Sequence, residues 1–449
     1  WTAPPRRPPR QREIAGLIQS ALPEPLLELI QQASELAQLM GYPLYAVGGF
    51  VRDLLLDEPN LDLDLVVEGD AIKLARKVAH GIGARTRSHR RFGTAKIILE
   101  DHEEKYGIPS LDFAAARLEF YAHSAALPEV ERSSIRADLH RRDFTINTLA
   151  IRLDSGHYGR LLDFYGGEQD LKDGLIRVLH SLSFIEDPTR IMRAARFEQR
   201  LGFAIEPRTA ELIDTALPML SRVSGERIRN ELYLILAEPR PERALCRLEE
   251  LHVLEEIHPS LVNLEGTWAL FAALREAVAS GHWAVSAEEQ GCPLPCLYLA
   301  LLTYHLPRTK LEAFVDRLKI VGDELGLLRQ VLDQREHEDG LRRPELTNRE
   351  TYALLRYAST PSLMIHWLCT DSQRVRERLW RYERELRHIQ PIVDGDYLKS
   401  RGLKPSPLFS ELLNTVRDAR LDGLIETEEE EKALIDRMLA TKAEAVSEP

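Results

Sequence analysis

The sequence predicts an α/β head with a small mixed sheet followed by an all-α remainder, and three observations predict it. Short apolar runs alternating with helical patterns end near Val178. From Leu179 onward almost every segment carries helical spacing, with no convincing period-two run. Motifs pairing glycine, arginine and aspartate crowd into the first part.

In chain order, residues 1–21 read as a linker, because Pro4-Pro5-Arg6-Arg7-Pro8-Pro9-Arg10 is extended, polar and unable to pack a core. The chain starts at Trp1, so it reads as a piece of something longer, and the proline–arginine linker leaves room for upstream domains outside it. Helical periodicity spans Leu22 to Met40, and Tyr42 to Val47 reads as a strand. A Gly48-Gly49 turn leads into a helix start at Val51 to Leu56, and Leu61 to Val67 reads as the second strand. Ala71 to Ile82 is helical again, and Thr94 to Leu99 and Ser110 to Ala114 read as strands. The expected divisions are a head over 22–178 and helical segments over 179–240, 241–343 and 344–449. Prolines around Glu238-Pro239-Arg240-Pro241 and Leu341-Arg342-Arg343-Pro344 supply the breaks. Glu428 to Glu431 open a late helix and read as a solvated face near its N-terminal dipole.

With 449 residues, 44% hydrophobic and 29% charged, the chain has the balance of an ordinary multi-domain soluble protein. No apolar stretch reaches membrane-spanning length and no signal pattern opens the chain, so a cytoplasmic enzyme with no membrane partner is expected. Cys246, Cys292, Cys296 and Cys369 are too few and scattered for a disulfide framework; Cys292 and Cys296 read as buried apolar residues rather than zinc ligands. A net charge of −12 excludes a uniformly basic nucleic-acid coat. Local arginine groups, Arg85, Arg87, Arg90 and Arg91 and then Arg190, Arg193, Arg196 and Arg200, leave phosphate binding open.

The candidate chemistry starts at Asp62 and Asp64. Two residues apart on a strand, they would share a face and offer hard oxygens to a divalent cation such as Mg²⁺ beside a nucleotide's phosphates. An isolated Asp-x-Asp is commonly a solvated strand edge. Gly48-Gly49-Phe50-Val51-Arg52-Asp53 just upstream sharpens the reading, since paired glycines allow close backbone approach to phosphate and Arg52 adds a cation. Asp112, in an apolar strand, is either a strand-end carboxylate or a third acid beside the pair.

Arg141-Arg142-Asp143-Phe144-Thr145-Ile146-Asn147 reads as the start of an apolar helix, with Asp143 either capping it or joining a phosphate or ribose contact. In Glu186-Asp187-Pro188-Thr189-Arg190-Ile191-Met192-Arg193-Ala194-Ala195-Arg196-Phe197, polar residues recur every third position from Asp187. On a helix such neighbours adjoin, and the row climbs about 13 Å, enough for an extended nucleoside triphosphate. Asp187 and Arg190 could present acceptor and donors to a base edge, while Arg193 and Arg196 reach sugar or phosphates. A solvated face with spaced ion pairs is the competing explanation.

Val47-Gly48-Gly49-Phe50-Val51-Arg52-Asp53, Leu61-Asp62-Leu63-Asp64, Arg141 to Asn147 and Glu186 to Arg190 together resemble, in order, the motifs of class II tRNA nucleotidyltransferases and bacterial poly(A) polymerases, within the DNA polymerase beta-like superfamily. The similarity runs from about Leu22 to Leu236 and continues loosely to Gly402-Leu403-Lys404-Pro405. It implies Mg²⁺ at Asp62 and Asp64. It also implies triphosphate or ribose contacts from Gly49, Arg52, Arg142, Asp143, Asn147, Arg193 and Arg196, and a protein template formed by Asp187 and Arg190. Residues 179–240 become a nucleotide-recognising neck, 241–343 a body and 344–449 an RNA-binding tail.

The implied activity adds the terminal A, or the full CCA, to a tRNA 3′ end without a nucleic-acid template. ATP is the donor, with CTP a further one, and the helical segments hold the acceptor stem and T-arm. The stretch before Arg141, from Arg117 through Val130 to Asp138, looks full length, which disfavours loss of A addition. Poly(A) synthesis on general RNA and a catalytically silent RNA-binding module are the alternatives. Two departures stand out: Thr148 replaces the usual alanine, and His305 lacks the adjacent Asp of an appended phosphohydrolase site, so it reads as a helix-end histidine.

Overall fold

The computed structural model describes residues 10–120, 129–262, 264–283 and 293–447. The chain divides into two compact units, Trp1–Pro259 and Ser260–Pro449. The first holds an eight-stranded mixed sheet and the helices that follow it.

The strands of that sheet are β1 (Arg10–Glu13), β2 (Leu44–Val47), β3 (Asp64–Val67), β4 (Arg85–His89), β5 (Thr94–Ile98) and β6 (Ser110–Ala115), then β9 (Ala150–Arg152) and β10 (Arg160–Asp163). A separate hairpin joins β7 (Arg117–Phe120) to β8 (Glu129–Arg132), and a two-residue pair joins β11 (Leu175–Ile176) to β12 (Ala204–Ile205). The large sheet runs β1-β10-β9-β2-β3-β6-β5-β4, and only β3 with β6 is parallel. Strand β2 is buried along its whole length, as its unbroken apolar run requires at the centre of a covered sheet. Helices α1 (Ala15–Ala21), α2 (Glu24–Leu39), α3 (Gly49–Leu55) and α4 (Ala71–Ile82) belong to the same unit. Helix α4 is capped by Asp70 accepting from the Lys73 N–H and ends on Gly83 in the left-handed region, which leaves Leu74, Ala75, Val78 and Ala79 on its buried face.

Several expectations change. Residues 10–21 are not linker: β1 pairs antiparallel with β10, and Ile14 and Ile18 are buried, so apolar anchors just past the proline run draw this segment into the head. The second strand begins at Asp64, and Asp62 lies in the approach to it, where its N–H donates to Asn60 Oδ1 at 2.8 Å. Phe144 to Leu149 form no α-helix: a 3-10 turn at Thr145–Asn147 runs into β9, because Asp143 bonds the Phe144 N–H and the Asn147 side chain instead of capping a helix. The short β12 interrupts the otherwise helical region after Leu179. Thr148, fully buried, satisfies its hydroxyl on the Thr145 carbonyl at 2.7 Å.

Every secondary-structure element among the second unit's described residues is a helix. Glu431 departs from the solvated face expected of the Glu428–Glu431 run: it is fully buried and accepts from the Ile392 and Val393 N–H groups and Arg420. Cys246, Cys296 and Cys369 form no disulfide, and Cys296 is buried. Cys292, the proline run before Arg10 and residues 121–128 of the stretch preceding Arg141 lie outside the described residues. Among the described residues no helix is long and apolar enough to cross a membrane.

Candidate active site

Three strand ends meet at one edge of the sheet. Register sets Val47 of β2 opposite Asp64 of β3, and Asp64 beside Asp112 of β6. The chain leaves β2 through Gly48, whose φ of +73° and ψ of −131° suit glycine alone. A Cβ there would stand 2.6 Å from Arg142 Nη1, so the bare backbone is also what lets Arg142 lie across the turn.

A cavity of about 800 Å³ opens over this edge. Gly48, Gly49, Arg52, Asp53, Asp62 and Asp64 line it from the first motifs, and Arg142, Asp143 and Asn147 from the third. Asp187, Arg190, Arg193 and Arg196 complete the set, so of the sequence candidates only Asp112 is outside the lining. Asp112 sits beside Asp64 and pairs with Lys96 Nζ at 3.0 Å.

Burial raises the Asp64 carboxyl above its ordinary range; Arg142 opposes the shift, while the charges of Asp62 and Asp112 add to it. A cluster of carboxylates in this state calls for a cation. Among the described residues no group of three or more His, Cys, Asp or Glu side chains forms a closed metal cage. Two hard carboxylates nevertheless fit a divalent ion that keeps water and phosphate oxygens for its remaining positions.

The cationic wall is cross-braced. Arg52, almost fully buried, donates to Asp53 Oδ1 and Oδ2 at 2.7 and 2.9 Å and to Asn147 Oδ1 at 2.8 Å. Asp53 also accepts from Asn60 Nδ2 at 2.7 Å, so Asn60 ties the Gly-Gly helix to the segment carrying Asp62. Asp53 therefore acts here as a clamp on its neighbours. Asp143 accepts from Arg193 Nη2 at 2.6 Å and Nε at 2.8 Å. Burial pushes its carboxyl up, but Arg193, the Asn147 hydrogen bond and Arg190 outweigh that and hold it at about 2.

The helix Thr189–Leu201 carries Arg190, Arg193 and Arg196. Asp187 lies before it in extended conformation rather than on its row, since Pro188 sets the helix entry. Asp187 Oδ1 accepts from Thr189 Oγ1 at 2.6 Å and Arg227 Nη2 at 2.7 Å. Arg190, buried, donates to Ser183 Oγ at 2.6 Å and to the Arg141 carbonyl at 2.8 Å. Both side chains are thus set by protein groups before any base arrives.

Arg142 Nε, Arg196 Nε and Glu231 Oε2 are buried without hydrogen-bond partners. Such orphaned groups are costly unless a ligand engages them, and all three residues line the cavity. Arg141 and Arg200, named in the sequence only as members of arginine groups, line it too, as do Asn60, Thr189, Arg227, Asn230 and Glu231, to which the sequence reading gave no role. Arg227 and Glu231 sit four apart on the helix Gly225–Leu236, a one-face spacing whose partners, Asp187 and Arg193, are remote in sequence.

This sheet and its carboxylate-edged cavity have the architecture of the DNA polymerase beta-like nucleotidyltransferase fold. The family described as Poly A polymerase head domain matches residues 44–177, and that described as probable RNA and SrmB-binding site of polymerase A matches residues 202–264. The chain belongs to the tRNA nucleotidyltransferase family, a metal-dependent one. It is 38% identical to an A-adding tRNA nucleotidyltransferase of Geobacter sulfurreducens over 96% of this chain and 49% of that one. It is 33% identical to an A-adding tRNA nucleotidyltransferase of Halalkalibacterium halodurans over 93% of both chains. A solved CCA-adding enzyme in an apo form superposes with a TM-score of 0.76 at 30% identity, covering 96% of this chain and 99% of that one. The chain thus spans about half the length of the Geobacter relative and nearly all of the other two.

Proposed function

We propose that this chain transfers AMP from ATP to the 3′-hydroxyl of a tRNA lacking its terminal adenosine. The O3′–Pα bond forms as the bond from Pα to the bridging oxygen breaks, and pyrophosphate leaves. The observation that carries this reading is the pair Asp187 and Arg190, prefixed by Arg227, Thr189, Ser183 and the Arg141 carbonyl in the same cavity as Asp62 and Asp64. An acceptor and a donor held rigid can read a base edge without a nucleic-acid guide.

Asp62 and Asp64 would hold Mg²⁺, which when bound supplies charge neutralisation at the α-phosphate and acidification of the attacking hydroxyl. Arg142 and Arg196, each with an unpartnered Nε, are the groups for triphosphate oxygens and ribose. The bare Gly48-Gly49 backbone lets phosphates approach, and Arg52, Asp53, Asn147, Asp143 and Arg193 brace the wall against movement as charge spreads. Asp112, beside Asp64 yet outside the cavity lining, is assigned to the side from which the tRNA hydroxyl enters. The helical segments 241–343 and 344–449 are assigned to the acceptor stem and T-arm by shape and backbone contact.

The names of the two relatives favour A addition over CCA addition with CTP as a further donor. tRNAs lacking A, CA or CCA, each supplied with one nucleotide at a time and sequenced at the 3′ end, test it. Extension of the A-lacking tRNA alone is the expected result. Growth from the CCA-lacking substrate with CTP would establish full CCA addition, and unlimited tails on unrelated RNA would establish a poly(A) polymerase.

A further inference from the structure

The first arginine cluster of the sequence is not used by the catalytic cavity. Arg90 and Arg91 sit in the turn between β4 and β5 and line a second cavity, of about 1060 Å³, together with Lys73, Arg76 and Lys77 of α4. This cavity lies by Gly93 and Ala115, at the ends of β3 and β6 opposite to Asp64 and Asp112. That is about 10 Å further along the strands at about 3.3 Å per residue.

Five of its cations have no charge partner. No carboxylate among the described residues pairs with Lys73, Arg76, Lys77, Arg90 or Arg91, although the chain carries a net −12 and Arg52, Arg193 and Arg227 of the catalytic cavity are each held by an acid. Positions 73, 76, 77 and 80 fall on one exposed face of α4, spanning about 10 Å. Phe92, half-buried between them, has the Arg91 guanidinium 5.7 Å from its ring centroid, the ring-and-cation pairing on which nucleic-acid strands stack. Asp70 and Glu131 also line the cavity without forming an ion pair with any of the five, so cations outnumber acids there, and such an excess of like charge destabilises a fold unless something anionic spans it.

We propose that this face binds the sugar–phosphate backbone of the tRNA substrate, neutralising about three successive phosphates, the number one strand carries over about 10 Å. Long, exposed, mobile cations suit a backbone rather than a free nucleotide, which would need buried donors of the kind the catalytic cavity has. The inference rests on the reading of the chain as an enzyme acting on tRNA.

The test compares wild type with Lys73→Glu/Lys77→Glu/Arg90→Glu/Arg91→Glu. Affinity for a tRNA lacking its terminal A is followed by fluorescence anisotropy across a salt series, and ATP binding is measured separately by equilibrium dialysis. The tRNA Kd is expected to rise at least about tenfold and the slope of log K against log salt to shrink by about 2 to 3, with ATP affinity unchanged. The same residues changed to Gln, with thermal unfolding as a check on the fold, should give a smaller shift in the same direction. tRNA affinity and salt slope within twofold of wild type in both variants would overturn the proposal, as would loss of ATP binding without loss of tRNA binding. Wild-type failure to extend any tRNA, with tRNA affinity still dependent on these cations, would sink the proposed reaction and leave this surface standing.

Discussion

Arg227 reaches across 40 residues of sequence to place its Nη2 2.7 Å from Oδ1 of Asp187. The contact joins the helix Gly225–Leu236 to the extended residue before the helix Thr189–Leu201 and aims the acid that would read the incoming base. Losing a charged hydrogen bond of this kind costs about 1.5–3 kcal/mol, or roughly 10- to 100-fold in a rate it controls. Arg227→Ala is therefore expected to lower kcat/KM for ATP by about that factor and to narrow the ratio of ATP to CTP incorporation. Single-nucleotide extension with each donor measures both, and an unchanged ratio would show that Asp187 needs no such guide.

Gly48 offers a sharper geometric test. Alanine there meets a positive φ and the Arg142 guanidinium at 2.6 Å from its Cβ. The backbone strain is about 1 to 3 kcal/mol, small beside a domain's stability, while the displaced Arg142 is a cavity-lining cation. Gly48→Ala is expected to fold, with Tm lowered by a few degrees, and to lose at least about tenfold in activity. Calorimetry beside a steady-state assay separates the two effects.

The elements most legible in the sequence were those whose signal is local. The apolar run of β2, the Gly-Gly turn and the capped α4 follow from neighbours along the chain. The places where the reading failed are those decided by distant partners. Nothing near Arg10 announces that it will pair with Asp163, and an acid followed by apolar residues at Asp143 looks like a helix cap until Arg193 claims its carboxylate. Arg227 and Glu231 show a shared helix face in the sequence, but their meaning lies in Asp187 and Arg193, which are remote along the chain.

Asp64 carries charge that the metal-free fold would rather lose. Its raised pKa means that the stability it contributes is fully present below its unfolded value and is lost as pH rises through the higher folded value. Asp64→Asn should therefore raise the Tm of metal-free protein at pH 7, abolish nucleotide addition, and lose its stabilising effect in acid. A Tm lower than wild type at pH 7 would contradict the repulsion argued for the pair.

Asp143 has the opposite sign. Its folded pKa of about 2 lies below the ordinary 3.8, so its stability is present above the unfolded value and lost as pH falls toward 2. A shift of that size corresponds to about 2 kcal/mol at neutral pH. Asp143→Asn keeps the hydrogen bond from Asn147 only in part and leaves Arg193 facing Glu231 alone. Urea unfolding at pH 7 should show a loss of about 2 kcal/mol or more, and the gap between variant and wild type should close as pH falls from 4 toward 2. A gap that stays constant across that range would assign the effect to packing rather than to the ion pair with Arg193.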